Sequence, residues 1–284
     1  MPLPKTTQNI SKRLIGLMAL LVIVLTYYLL PSYNSETFTD LTPKINQEDY
    51  NKAVLAILKM RISDGMGKRD ATQSIMEFVH DYSIHKIDDQ FYRNVKRLDL
   101  VMIKMAEALQ GKHRDLPHLS CGPRATLMKE LLSHLGIKSR LVQVYSDSFP
   151  NVEGHRLLEV LNSETARYEL WDPDFRVWYQ KVNGKDHVDA ITMVLAPSMD
   201  LFEPTDSVRT GWEDTQTKHL RDSYFKAVLY EGEREGMRHA PIFVNTERFD
   251  VKKRFADGLN FSEWATKKYG DIRFIPVYNL LNYR

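Results

Sequence analysis

The sequence predicts an α+β domain, a helix packed on an antiparallel sheet, preceded by further helices and by one N-terminal transmembrane helix. Three observations predict it. Apolar residues recur at helical spacing from about Gln47 to Leu135. The period then drops to two in three segments between Arg140 and Trp171. Ahead of both, Leu14 to Leu30 run without a charge.

That first segment, LIGLMALLVIVLTYYLL, is at the short end of what spans a bilayer core. Lys5, Lys12 and Arg13 precede it, whereas Glu36, Asp40, Glu48 and Asp49 outnumber Lys44 after it. The asymmetry implies residues 1–13 in the cytoplasm, residues 14–30 as anchor, and the main domain outside, periplasmic in a Gram-negative cell. Tyr27, Tyr28 and Tyr33 suit the far interface, and Pro31 ends the helix. A cleaved signal peptide is the competing reading, but no small-x-small pattern follows the run.

Residues 31–46 are polar and turn-rich, a linker. Residues 47–112 form a helical region. A first helix over about Gln47–Ile62 places Tyr50, Ala53, Val54, Ile57 and Leu58 inward and stops near Gly65 and Gly67. A second, over about Ala71–Tyr82, follows Asp70 as cap. A third runs from Phe91 to Leu109, with Gly111 as its stop. Residues 113–182 form the core: a helix over about Gly122–Leu135 closed by Gly136, then strands at Arg140–Tyr145, His155–Leu161 and Arg167–Trp171. Residues 183–284, the rest of the domain or an aromatic-rich extension, suggest a strand at Ile191–Leu195, a helix at Thr217–Leu229 and an aromatic tail over Phe274–Tyr283.

Composition excludes several classes. With 43% hydrophobic and 27% charged residues the chain is neither disordered nor a multi-span membrane protein. Thirty-nine Lys and Arg against thirty-seven Asp and Glu, scattered, ask for no nucleic acid. A single cysteine allows no internal disulfide and no cysteine zinc cage. His113, His118 and Cys121 lie close in sequence but lack a second cluster, so no metal and no cofactor is expected. Arg124 and Lys129 read as a solvated helix face, and Trp171 and Trp178 as core or cleft wall. The oligomeric state is left open.

The lone cysteine is the chemical signal. Cys121 opens a helix, beside unsatisfied N–H groups and the positive end of the helix dipole, and Pro123 suits a first helical turn. Two further residues join it through a hairpin. If the turn centres between Ser163 and Glu164, His155 lies directly opposite Asp172, within reach of an imidazole–carboxylate hydrogen bond. The same register pairs Leu157 with Leu170 as a patch for the Cys121 helix, and a one-residue slip would separate His155 from Asp172. Cys121, His155 and Asp172 then supply nucleophile, base and orienting carboxylate.

The run from Leu119-Ser120-Cys121-Gly122-Pro123 through Leu135-Gly136-Ile137-Lys138 to Val142, with Gly154-His155 and Trp171-Asp172-Pro173 beyond, resembles the signature of the transglutaminase-like superfamily. The resemblance covers about residues 95 to 180. It implies a papain-like core and a Cys-His-Asp triad, although Ser120 stands where the eukaryotic crosslinking enzymes have glutamine. The expectation is a membrane-anchored cysteine enzyme forming a thioester on Cys121 from a protein or peptide amide. Hydrolysis, as in a protease or amidase, or transfer to an amine, as in a protein-glutamine acyltransferase, would follow. The alternative is a non-catalytic binding or assembly module of the cell envelope, suggested by the aromatic C-terminal part.

Overall fold

A computed structural model describes residues 46–146, 152–182, 184, 186–205, 211–230, 242–245, 252–254, 258–261, 263–264, 267 and 273–276. In chain order the elements are α1 (Gln47–Arg61), α2 (Lys68–Asp81), β1 (Ile84–His85), α3 (Asp89–Asn94), α4 (Leu98–Leu109), β2 (His118–Leu119), α5 (Cys121–His134), β3 (Ser139–Ser146), β4 (Glu153–Asn162), β5 (Arg167–Asp172), β6 (Val177–Lys181), α6 (Ala190–Leu195), β7 (Phe202–Thr205), α7 (Gly211–Tyr224), β8 (Ala227–Tyr230), β9 (Ile242–Asn245) and β10 (Arg273–Pro276). Eight strands form one sheet in the order β10-β9-β8-β3-β4-β5-β6-β7, antiparallel except for the parallel β9–β10 pair. Parallel β1 and β2 pair separately.

Helix α5 is the centre of the helical layer. Gly122 to Met128 are all buried, so beyond the half-buried Cys121 the first two turns run inside the core. Its Leu127, Met128, Leu131 and Leu132 join Ile75 and Val79 of α2 and Met102 and Met105 of α4 in one cluster. Leu141, Leu158, Val160 and Trp171 close that cluster from one face of the sheet. The other face carries Val142, Val144, Leu157, Leu170 and Tyr179, packed on Met193 and Val194 of α6 and Leu220 of α7. Burial on both faces explains why β4 reads as a nearly continuous apolar run through Leu157 and Leu158.

Several expectations are corrected. The expected helix over Phe91–Leu109 is two helices, because Asp88 caps α3 at Gln90 and Phe91, and the Asn94 carboxamide is drawn to the His118 carbonyl at 3.0 Å. The expected strand at Ile191–Leu195 is α6: Asp189 accepts from the Thr192 N–H at 2.7 Å, and Glu159 holds the Ala190 N–H at 2.8 Å. That cap outweighs the β-branched composition. The expected helix over Thr217–Leu229 ends at Tyr224, and its last residues pair with β3 as β8. Of the aromatic tail, β10 is described; residues 277–283 lie outside the described residues.

The membrane expectation is also corrected. Among the described residues no helix is long and apolar enough to cross a membrane. None exceeds the 15 residues of α1, about 22 Å at helical rise against a hydrocarbon core of about 30 Å. The segment 14–30 lies outside the described residues. The single-pass arrangement, the membrane as partner and the extracytoplasmic localisation are therefore not retained. Nor is a papain-like core behind a membrane anchor. The architecture is an eight-stranded mixed sheet with helices on both faces.

Candidate functional site

Cys121 is the first residue of α5 and is half-buried. The Ser120 side chain makes no capping hydrogen bond, and Pro123 has no N–H to satisfy. The first turn thus presents its amides beside the sulfur. His155 lies near the start of β4, and Asp172 is the last residue of β5. His155 Nε2 and Asp172 Oδ2 are 2.9 Å apart, with Asp172 fully buried and His155 6% exposed. Nε2 is engaged by the carboxylate, so Nδ1 is the ring nitrogen left to meet a thiol. Burial opposes charge on His155, but the Asp172 charge, then the Cys121 charge, and the hydrogen bond to Asp172 overcome it. The imidazole titrates well above the usual histidine value.

The three residues named from the sequence are thus brought together, by a register other than the expected one. Leu158 pairs with Trp171 and Glu159 with Leu170, and continuing that ladder places Asp172 opposite Leu157. The reason is the turn. Asn162 pairs with Arg167 around a four-residue loop, 163–166, in which Asn162 Oδ1 accepts the N–H groups of Glu164 (2.8 Å) and Thr165 (3.3 Å) and Ala166 takes a φ of 56°. The offset preserves the shared face, so imidazole and carboxylate meet as diagonal neighbours. The expected role of Leu157 and Leu170 fails: both pack on the α6 side, away from the cluster that holds α5.

The hairpin after Asp172 is built in the same way. Asp172 pairs with Val177 around residues 173–176; Asp172 Oδ1 accepts the Asp174 N–H at 2.9 Å and the Phe175 N–H at 3.3 Å, and Arg176 takes a φ of 55°. Asp172 therefore uses one oxygen to close a turn and the other to hold the ring.

Arg124, expected on a solvated face, is 2% exposed. Its Nε donates to Ser83 Oγ at 2.9 Å and Nη2 to the Ser83 carbonyl at 2.9 Å. Nη1 donates to the carbonyl of Asp174 at 2.9 Å and to its Oδ1 at 3.0 Å. This guanidinium ties the start of α5 to the turn that carries Asp172. His85 Nδ1 lies 2.7 Å from the same Asp174 oxygen. Burial would raise the Asp174 carboxyl, but the bond to His85 and the charges of Arg124, His85 and His155 bring it down to about 2.

No family model matches this chain, and no curated protein matches it. The transglutaminase-like assignment, and with it the expected function of a membrane-anchored transglutaminase-like enzyme, is therefore withdrawn. Two elements of the resemblance have a local structural cause. Leu135-Gly136-Ile137 is a helix stop, with Gly136 at φ 66° and the Ile137 N–H on the Leu132 carbonyl. Asp172-Pro173 is the start of an Asp-closed turn.

Two rings flank the imidazole. Phe175 lies 5.5 Å from it between centroids, and Tyr224, the last residue of α7, 6.2 Å at a 73° interplanar angle. The C-terminal part thus contributes to the site. Arg124, Asp174, His85 and Tyr224 are the site residues that sequence reasoning missed; the Asp172-x-Asp174 spacing was the one local signal. His118, weighed as a metal ligand, is held by Asp88 at 2.9 Å, and among the described residues no cluster suited to a metal occurs. Trp171 is core, 1% exposed.

Proposed function

We propose that the domain is a thiol-dependent enzyme of the cysteine peptidase or amidase kind, with Cys121 as nucleophile, His155 as base and Asp172 as the carboxylate that orients the ring. The observation that carries this reading is the placement of the imidazole: Nε2 lies 2.9 Å from a fully buried carboxylate, and the ring is close enough to the sole cysteine of the chain for the Cys121 charge to raise its titration. A thiol on a helix start, an imidazole beside it and a carboxylate that fixes the ring are the three parts that nucleophilic acyl transfer uses. The test is alkylation of Cys121 by iodoacetamide at pH 6, compared with glutathione. The expected rate is higher by about tenfold or more, and His155→Ala removes the advantage. Labelling at the glutathione rate, unaltered by His155→Ala, would overturn the reading.

A second reading is favoured by the burial of the ring. His155 is covered by Phe175 and Tyr224 to 6% exposure, as expected of a structural hydrogen-bond network inside a non-catalytic binding or assembly module. Cys121→Ala and Cys121→Ser separate the two. Folded variants that keep full function in cells favour the module; loss in both favours the thiol.

A further inference from the structure

Resting on the thiol-dependent reading, we propose that the Tyr224 hydroxyl is a donor to the oxyanion formed when Cys121 attacks a carbonyl. The Tyr224 ring stands edge-on to the His155 imidazole, 6.2 Å between centroids, and the Cys121 charge acts on both groups, so the phenol and the sulfur lie around one imidazole. The hydroxyl donates to Glu153 Oε2 at 2.6 Å. Glu153 is exposed at the first position of β4, where water can take over its pairing when the hydroxyl turns to another acceptor. The first turn of α5, which no side chain caps, offers backbone N–H groups beside the sulfur, and the phenol adds a side-chain donor. Burial, the bond to Glu153 and the nearby Cys121 charge all hold the phenol protonated, which keeps it a donor at any ordinary pH.

The proton that the Cys121 thiol gives up is held by His155 before the attack; a sulfur lone pair then forms the S–C bond, and the carbonyl π pair moves onto oxygen, where Tyr224 and the α5 amides receive it. When the pair returns, the bond from the carbonyl carbon to the leaving nitrogen or oxygen breaks: an amine leaves with the proton held by His155, and p-nitrophenolate leaves as the anion, giving the acyl thioester on Cys121. Alkylation by iodoacetamide is a displacement at a saturated carbon and develops no oxyanion.

The two reagents therefore separate this role from a merely structural one. In the full chain, Tyr224→Phe should slow acetylation of Cys121 by p-nitrophenyl acetate, read as the p-nitrophenolate burst, by about tenfold or more. Its iodoacetamide rate should change by less than about twofold, since the ring and the imidazole remain. Glu153→Gln, which weakens the competing acceptor, should leave the burst intact or faster, and tests the idea even if Tyr224→Phe folds poorly. Equal slowing of both reagents in Tyr224→Phe, an unchanged burst, or a slowed burst in Glu153→Gln would overturn the proposal while leaving Cys121 as nucleophile. A burst that survives Cys121→Ala would overturn the thiol-dependent reading itself, and this inference with it.

Discussion

Asp172 holds His155 from a diagonal position, with Oδ2 at 2.9 Å from Nε2, while Oδ1 closes the turn to Asp174 and Phe175. Orientation of the ring and shape of the hairpin thus depend on the same carboxylate, and a substitution can remove one without the other.

Asp172→Asn keeps a carbonyl oxygen for the turn but places an amide where the ring needs an acceptor. The expected outcome is a melting temperature within a few degrees of wild type and a Cys121 acetylation rate at least about tenfold lower. Asp172→Ala removes the turn acceptor as well and should lose a further ~1 kcal/mol or more of stability. Thermal melts alongside the p-nitrophenolate burst check both. Equal stability of the two variants would show that the turn does not need the side chain.

His155 links the site to pH through its raised titration. A group whose folded value lies above its unfolded value, about 6.5 for histidine, stabilises the fold fully below that pH. The contribution disappears as pH rises through the higher folded value. Urea midpoints of wild type should therefore fall from pH 6 to pH 9 more steeply than those of His155→Gln. Parallel curves would mean that the imidazolium contributes nothing.

Asp174 gives the opposite dependence. Its carboxyl is held down to about 2, so its contribution is present above the unfolded value of about 3.9 and is lost as pH falls through the folded one. Between pH 4 and pH 2, Asp174→Asn should flatten the acid loss of stability. Arg124→Ala leaves that buried carboxylate without its guanidinium and should cost about 3–5 kcal/mol at neutral pH, read by denaturant unfolding.

These residues also mark what was legible in the sequence. The start of α5 at Cys121 and its stop at Gly136 were, because Pro123 and a glycine at positive φ are local signals. The shared face of His155 and Asp172 was legible because a strand period of two survives an offset that keeps parity. The register was not, since a four-residue loop closed by the Asn162 side chain leaves no more trace than a tight turn would. Arg124 was misread because charge suggests solvent, and only the fold brings Ser83 and Asp174 to its guanidinium. Tyr224 lies 69 positions beyond His155, so no spacing could connect them.

The loop that sets the register can be tested without touching the site. Ala166 is exposed and holds a φ of 56°, a left-handed conformation that costs an L-residue about 1–2 kcal/mol relative to glycine. Ala166→Gly relieves this strain but adds unfolded-chain freedom worth about 0.5–1 kcal/mol, so a net gain of roughly 0.5 kcal/mol is expected. Ala166→Val, β-branched at the same φ, should lose about 1 kcal/mol or more. Neither should alter the Cys121 acetylation rate, because Asn162 and Arg167 still bracket the loop and the offset between His155 and Asp172 is unchanged. Urea midpoints ordered valine, alanine, glycine from low to high, at a constant burst rate, would establish that positive φ at this position sets the turn. A stability loss in Ala166→Gly would mean that the loop is held by the Asn162 side chain alone.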